Sequence, residues 1–182
     1  MTSHETRSPK TQEPIPLTPA EKKQTMRELL AKFDTAFLVS HAHGAGHYHA
    51  RPMAVAGKDD DGDLWFVTAI ESPKVREIEA DPKVLVTFQD GQRFMAMTGE
   101  AQVVRDRKKL DEVWSPTMKV WFPEGKDDPS VALLKVDVHE AEYWDNHGVA
   151  GLKYLFKAAK ALVTGSRVET GDGRQHDRVK LD

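Results

Sequence analysis

Three groups of residues in this chain have the types and spacing to do chemistry. The first is Ser72-Pro73-Lys74, which follows an apolar run and opens a helical one. Serine at an N-cap with proline at the first helical position is a strong helix-start signal. A helix start offers unpaired backbone N–H groups and partial positive charge, and Lys74 adds a full cation. The triplet is therefore a candidate phosphate site. A plain capped helix with a solvated lysine carries the same three residues. What raises the anion site to equal standing is the second feature, Arg51. It sits in an alternating strand where Met53 and Val55 share its face, and an arginine among apolar neighbours is costly to bury unless it meets an anion. The third is the stretch 41–49, with His41, His43, His47 and His49. These are donors suited to a transition metal. No carboxylate stands beside them at clear ligand spacing, so the stretch reads as a flexible glycine-containing hairpin connection between the first two strands that is rich in histidine.

Periodicity supplies the elements that must hold these residues. Residues 49–75 read as two strands joined by the acidic turn KDDDGD, with Gly62 taking the backbone angles of the reversal, followed by the helix start. The far face of the first strand carries only Ala50, Pro52, Ala54 and Ala56, so another element or a flat ligand can approach it closely. Upstream, Thr18-Pro19-Ala20-Glu21 is a capping box. Its helix puts Met26, Leu29, Leu30 and Phe33 on one stripe. Residues 34–41 are the first strand, with Ala36, Leu38 and Ser40 alternating against Phe37 and Val39. Downstream, 84–88 and 94–104 are strands around a turn at Asp90-Gly91, and Gly99 marks a bulge or a close backbone approach. A charged amphipathic helix covers 105–113, and the last strand covers 131–144. Segment 114–129 is too aromatic for a plain linker and reads as a small core lid rather than the cover of a groove. Residues 151–163 read as an amphipathic helix stopped at Gly165.

The whole chain narrows the class. Its 182 residues are one domain's worth, read as 18–166, with a disordered polar arm at 1–17 and a polar tail at 167–182. A net charge of −3 gives no electrostatic case for nucleic-acid binding. No run of about 18 apolar residues exists, so no membrane span is expected. The first residues lack an apolar signal core, and the absence of cysteine excludes disulfides and thiolate chemistry. A cytoplasmic protein is expected. Six strands of period two with antiparallel-style connections and a few helices argue a mainly β architecture, a β-barrel with helical decoration.

The order Arg51-Pro52-Met53, Phe66-Val67-Thr68, Ser72-Pro73-Lys74 and a strand after Asp81-Pro82 resembles the flavin-binding split barrel of pyridoxamine 5′-phosphate oxidase. The runs GEAQVVRDRKKLDEVW (99–114), WFPEGKDDPSVALLKVDV (121–138) and EYWD (142–145) resemble its general stress protein branch. The likeness covers roughly residues 18–166. It implies a six-stranded antiparallel split β-barrel, a homodimer with flavin sites between subunits, and FMN as cofactor, with FAD or deazaflavin as alternatives. It also implies a flavin-dependent oxidoreductase acting on a small molecule in a stress response. A flavin-binding or sensing module without turnover and a deazaflavin-dependent reductase are the competing readings. Carried over by position, Arg51 meets the flavin, and Met53 belongs to the same set. Val67 and Thr68 line the ring, Ser72 and Lys74 hold the 5′-phosphate, and Trp144 lies near the ring. The chain departs from the oxidase at three of its polar positions, which here are Ala56, Pro73 and Phe94. The run RQHDR at 174–178 is similar to the oxidase's substrate motif, but it lies far beyond Trp144, past an extra helix, and reads as coincidence. No useful oxidation of pyridoxamine 5′-phosphate is expected.

Overall fold

The computed structural model describes residues 17–42, 46–145 and 176–181. Its longest element is β7 (Val131–Asp145), buried on both faces over its first four residues and alternating after them, and the rest of the sheet is arranged on it. Along one side β7 pairs antiparallel with β6 (Arg93–Val104) over its whole length. On the other side β4 (Leu64–Ala69) takes its first half and β8 (His176–Lys180) its second. Beyond β6 come β5 (Lys83–Asp90), β1 (Thr35–Ala42) and the edge strand β2 (His47–Ala54), all antiparallel. Pro52, which has no N–H to give, sits on that edge, where a missing donor is tolerated.

Two expectations are corrected in detail. Eight strands rather than six occur among the described residues, because β3 (Gly57–Lys58) and β8 also form. Two residues are too few to show periodicity, and β8 carries a single buried apolar residue, Val179. The segment read as a polar tail therefore contributes a strand. The acidic turn also joins β3 to β4, while β2 pairs with β1 instead. Gly62 takes the expected left-handed backbone, φ 97°, in that turn.

The core follows the predicted alternation. In β1 the residues Ala36, Leu38, Ser40 and Ala42 point inward and Phe37 is left exposed. Helix α1 (Pro19–Leu30) is opened by the capping box of Thr18 and Glu21, and its stripe of Met26, Leu29 and Leu30 joins the core with Phe33. Gly99 stands at a shift of register between β6 and β7. A Cβ there would lie 2.1 Å from the carbonyl oxygen of Asp137, so only glycine fits. A second, smaller cluster lies around Trp65, Leu110 and Leu133, closed by Trp114, Phe122 and helix α3 (Arg107–Val113). Segment 114–129 is thus a core lid, but not only that: Trp121 stays 65% exposed and lines a cleft with Met118 and Phe122. The helix expected at 151–163 and the arm at 1–16 lie outside the described residues. Among the described residues no helix is long and apolar enough to cross a membrane.

Candidate functional site

A cleft of about 740 Å³ opens where β2, the end of β4, the start of helix α2 (Pro73–Ala80) and segment 116–122 meet. Arg51, Met53, Val67, Thr68 and Lys74, five of the seven residues singled out from the sequence, line it. Ser72 stands one residue away as the N-cap of α2, with extended backbone (φ −67°, ψ 150°). Its hydroxyl does not cap the helix. It lies 3.3 Å from Thr68 Oγ1, and Lys74 Nζ donates to that same oxygen at 3.1 Å. The β4–α2 junction therefore gathers two hydroxyls and an ammonium group at one end of the cleft.

The two cations differ in their circumstances. Arg51 has found an anion inside the protein: its Nη2 donates to Glu77 Oε2 at 2.7 Å and its Nη1 to Ser40 Oγ at 2.5 Å. The expectation that Arg51 needs an anion holds, but the anion is Glu77 of α2. Lys74 has no such partner. Among the described residues no carboxylate pairs with its ammonium group, whose hydrogen bond goes to the neutral Thr68 hydroxyl. Burial pushes the Lys74 pKa below the ordinary lysine value, the Arg51 charge pushes the same way, and Glu77 opposes both. A half-buried cation with no ion pair among the described residues, beside two hydroxyls, is what an incoming phosphate would neutralise.

Glu77 is the residue sequence reasoning missed. It is buried in α2 and accepts hydrogen bonds from Ser40 Oγ at 2.6 Å and His49 Nδ1 at 2.6 Å, besides the Arg51 pair. Burial would raise its pKa. The hydrogen bonds from Ser40, His49 and Arg51, with the Arg51 charge, more than offset this and hold it at about 2. Two signals for it were present: a lone polar Ser40 on the buried face of β1, and a glutamate three residues after Lys74, hence on the same helical face.

The opposite wall is apolar. Met118 is buried beneath it, Phe122 packs on the smaller core cluster, and Trp121 stands exposed at the rim. The aromatic segment both covers that core and walls the cleft. The histidine-rich stretch is split by the pleat. His41 packs against Tyr48 on one face, at 5.3 Å between ring centres. His47 and His49 meet on the other, near Glu77. His43 lies outside the described residues.

Trp144 is not in this cleft. It stacks on His176 of β8, with ring centres 5.0 Å apart and planes 9° apart, and lines a separate cavity of about 330 Å³ with Phe37 and Phe94. His176, Asp177 and Arg178 of the RQHDR run, although remote in sequence, are thus returned to Trp144 by β7–β8 pairing. Arg174 lies outside the described residues.

The model of the family described as pyridoxamine 5′-phosphate oxidase like matches residues 21–169. A general stress protein 26 candidate from Jannaschia sp. CCS1 superposes with a TM-score of 0.65 at 27% identity, covering 90% of this chain and 99% of that one. A general stress FMN/FAD binding protein from Xanthomonas citri gives 0.61 at 26% identity, over 71% of this chain and 92% of that one. Among curated proteins, "Protein bli-3" of Neurospora crassa is 28% identical over 109 residues, 54% of this chain; the chain spans about half (52%) of that relative's length. With a split-barrel fold and a family match over most of its length, the chain belongs to the pyridoxamine 5′-phosphate oxidase-like family.

Proposed function

We propose that this protein binds FMN in the β2–β4–α2 cleft and acts as a flavin-dependent oxidoreductase on a small molecule, in the manner of general stress proteins. The observation that carries the reading is Lys74, a half-buried cation whose hydrogen bond goes to a neutral hydroxyl. One phosphate beside Lys74, Ser72 and Thr68 would neutralise it, and one such cation suits the single phosphate of FMN better than the pyrophosphate of FAD. Met53, Val67 and the apolar rim at Trp121 and Phe122 suit a flat ring. Arg51, occupied by Glu77, acts in this reading as part of the cleft wall and not as a phosphate ligand. A bound flavin supplies two-electron redox chemistry that side chains lack, while the chain binds it and excludes water.

The proposal includes a homodimer and a cytoplasmic location. The dimer is supported by the exposed edge strand β2 with its small residues Ala50, Pro52 and Ala54 and by the exposed Phe37. Lys74→Ala should weaken FMN by about 1.5–3 kcal/mol, roughly ten- to a hundredfold or somewhat more, and leave the fold intact. Riboflavin, which lacks the phosphate, should bind variant and wild type alike. Fluorescence titration in which the variant loses both ligands equally would refute the phosphate assignment. Steady-state oxidation of NADH or NADPH with an electron acceptor tests turnover. Its absence in flavin-loaded protein would leave a binding module.

A further inference from the structure

His47 and His49 stand two residues apart on the edge strand β2 and so project from the same face. Their Nε2 atoms are 3.1 Å apart. Two imidazole nitrogens bound to one ion at 2.0–2.1 Å, at a near-tetrahedral angle, would be separated by about 3.3 Å. The second nitrogen of His49 is already committed: Nδ1 donates to the Glu77 carboxylate at 2.6 Å. In the neutral ring, that bond leaves the Nε2 lone pair outward, toward His47. A carboxylate holding the far nitrogen is the usual outer support of a metal-binding histidine. Glu77 is itself gripped by Ser40 and Arg51, so the imidazole is braced against the barrel wall and not carried by a loop.

We propose that His47 and His49 chelate one first-row divalent cation through their Nε2 atoms at the mouth of the cleft. Paired imidazoles favour Cu²⁺, Ni²⁺ and Zn²⁺ and have little affinity for Mg²⁺ or Ca²⁺, which take oxygen ligands. Among the described residues no third histidine or carboxylate completes the set. The alternative is a simple hydrogen bond between two imidazoles, one donating N–H to the other's lone pair, with no affinity for metal beyond that of scattered surface histidines.

Calorimetric titration of tag-free, EDTA-stripped protein separates the two. The expected result is saturation at one ion per chain for Cu²⁺, with Ni²⁺ and Zn²⁺ weaker and no heat from Mg²⁺. His47→Ala, at an exposed position, should weaken Cu²⁺ at least tenfold, and His49→Ala likewise. His41→Ala, whose ring lies on the opposite face against Tyr48, should bind as wild type does. Wild type that fails to saturate at one ion per chain, or His47→Ala that binds undiminished, would overturn the proposal.

Discussion

Replacing Glu77 by glutamine keeps its shape and removes its charge, which isolates what the carboxylate does for the barrel. In the folded protein its pKa is about 2 against an ordinary 4.5. At 1.36 kcal/mol per pH unit that gap amounts to about 3 kcal/mol of stability. The side chain is only 11% exposed, so solvent screening takes little from this figure. A second argument gives the same size: breaking a buried pair leaves Arg51 as an uncompensated cation, at a cost of about 3–5 kcal/mol. The sign follows from the depressed folded-state pKa. The stabilisation is fully present above pH 4.5 and is lost as pH falls through about 2. Urea unfolding at fixed protein concentration is the assay, run for wild type and Glu77→Gln between pH 7 and pH 2. Wild type should exceed the variant by about 3 kcal/mol at pH 7, and the two should converge toward pH 2. Equal midpoints at pH 7, or a difference that persists undiminished at pH 2, would refute the ion-pair account.

Other outcomes follow from single features. Gly99→Ala drives a methyl into the backbone of β7, which cannot yield as a side chain would, so a loss of about 1–3 kcal/mol or more should appear as a lowered Tm in calorimetry. Light scattering at micromolar concentration should give twice the 20.4 kDa of one chain; a monomer with flavin still bound would refute the proposed dimer. Pyridoxamine 5′-phosphate should not be turned over at a useful rate by flavin-loaded protein, because Ala56 and Phe94 stand where the oxidase has polar contacts worth about 1.5–3 kcal/mol each. Oxidation of that substrate followed by absorbance would reverse this expectation and direct attention to His176 beside Trp144.

Local signals in the chain were reliable wherever one element settled the matter by itself. The capping box at Thr18, the reversal at Gly62, the bulge at Gly99 and the buried stripe of β1 are all short-range consequences of residue type. What was not legible was pairing between elements distant in sequence. The connection at 41–49 does close the β1–β2 hairpin that it suggests, but the turn at 58–63 joins β4 to the two-residue β3 and not to β2, which pairs with β1. The strand at 176–180 has too little apolar content to declare itself. It forms because the second half of β7 has an open side for its backbone to pair with.

The cleft was legible in the same uneven way. Arg51 and Lys74 looked alike in the sequence: two cations close to one helix start, both in want of an anion, and one phosphate could serve both. The fold separates them. Glu77 lies in the second turn of α2, on the side that faces β1 and β2, and an ionised carboxylate buried there must collect donors or become protonated. Ser40, His49 and Arg51 are the donors within reach, from the β1–β2 pair, which nothing in the sequence brings to α2. Once Glu77 has claimed Arg51, Lys74 is left as the cation with no carboxylate of its own among the described residues. The same carboxylate turns His49 toward His47. Glu77 thus fixes which of the two cations remains for an external anion.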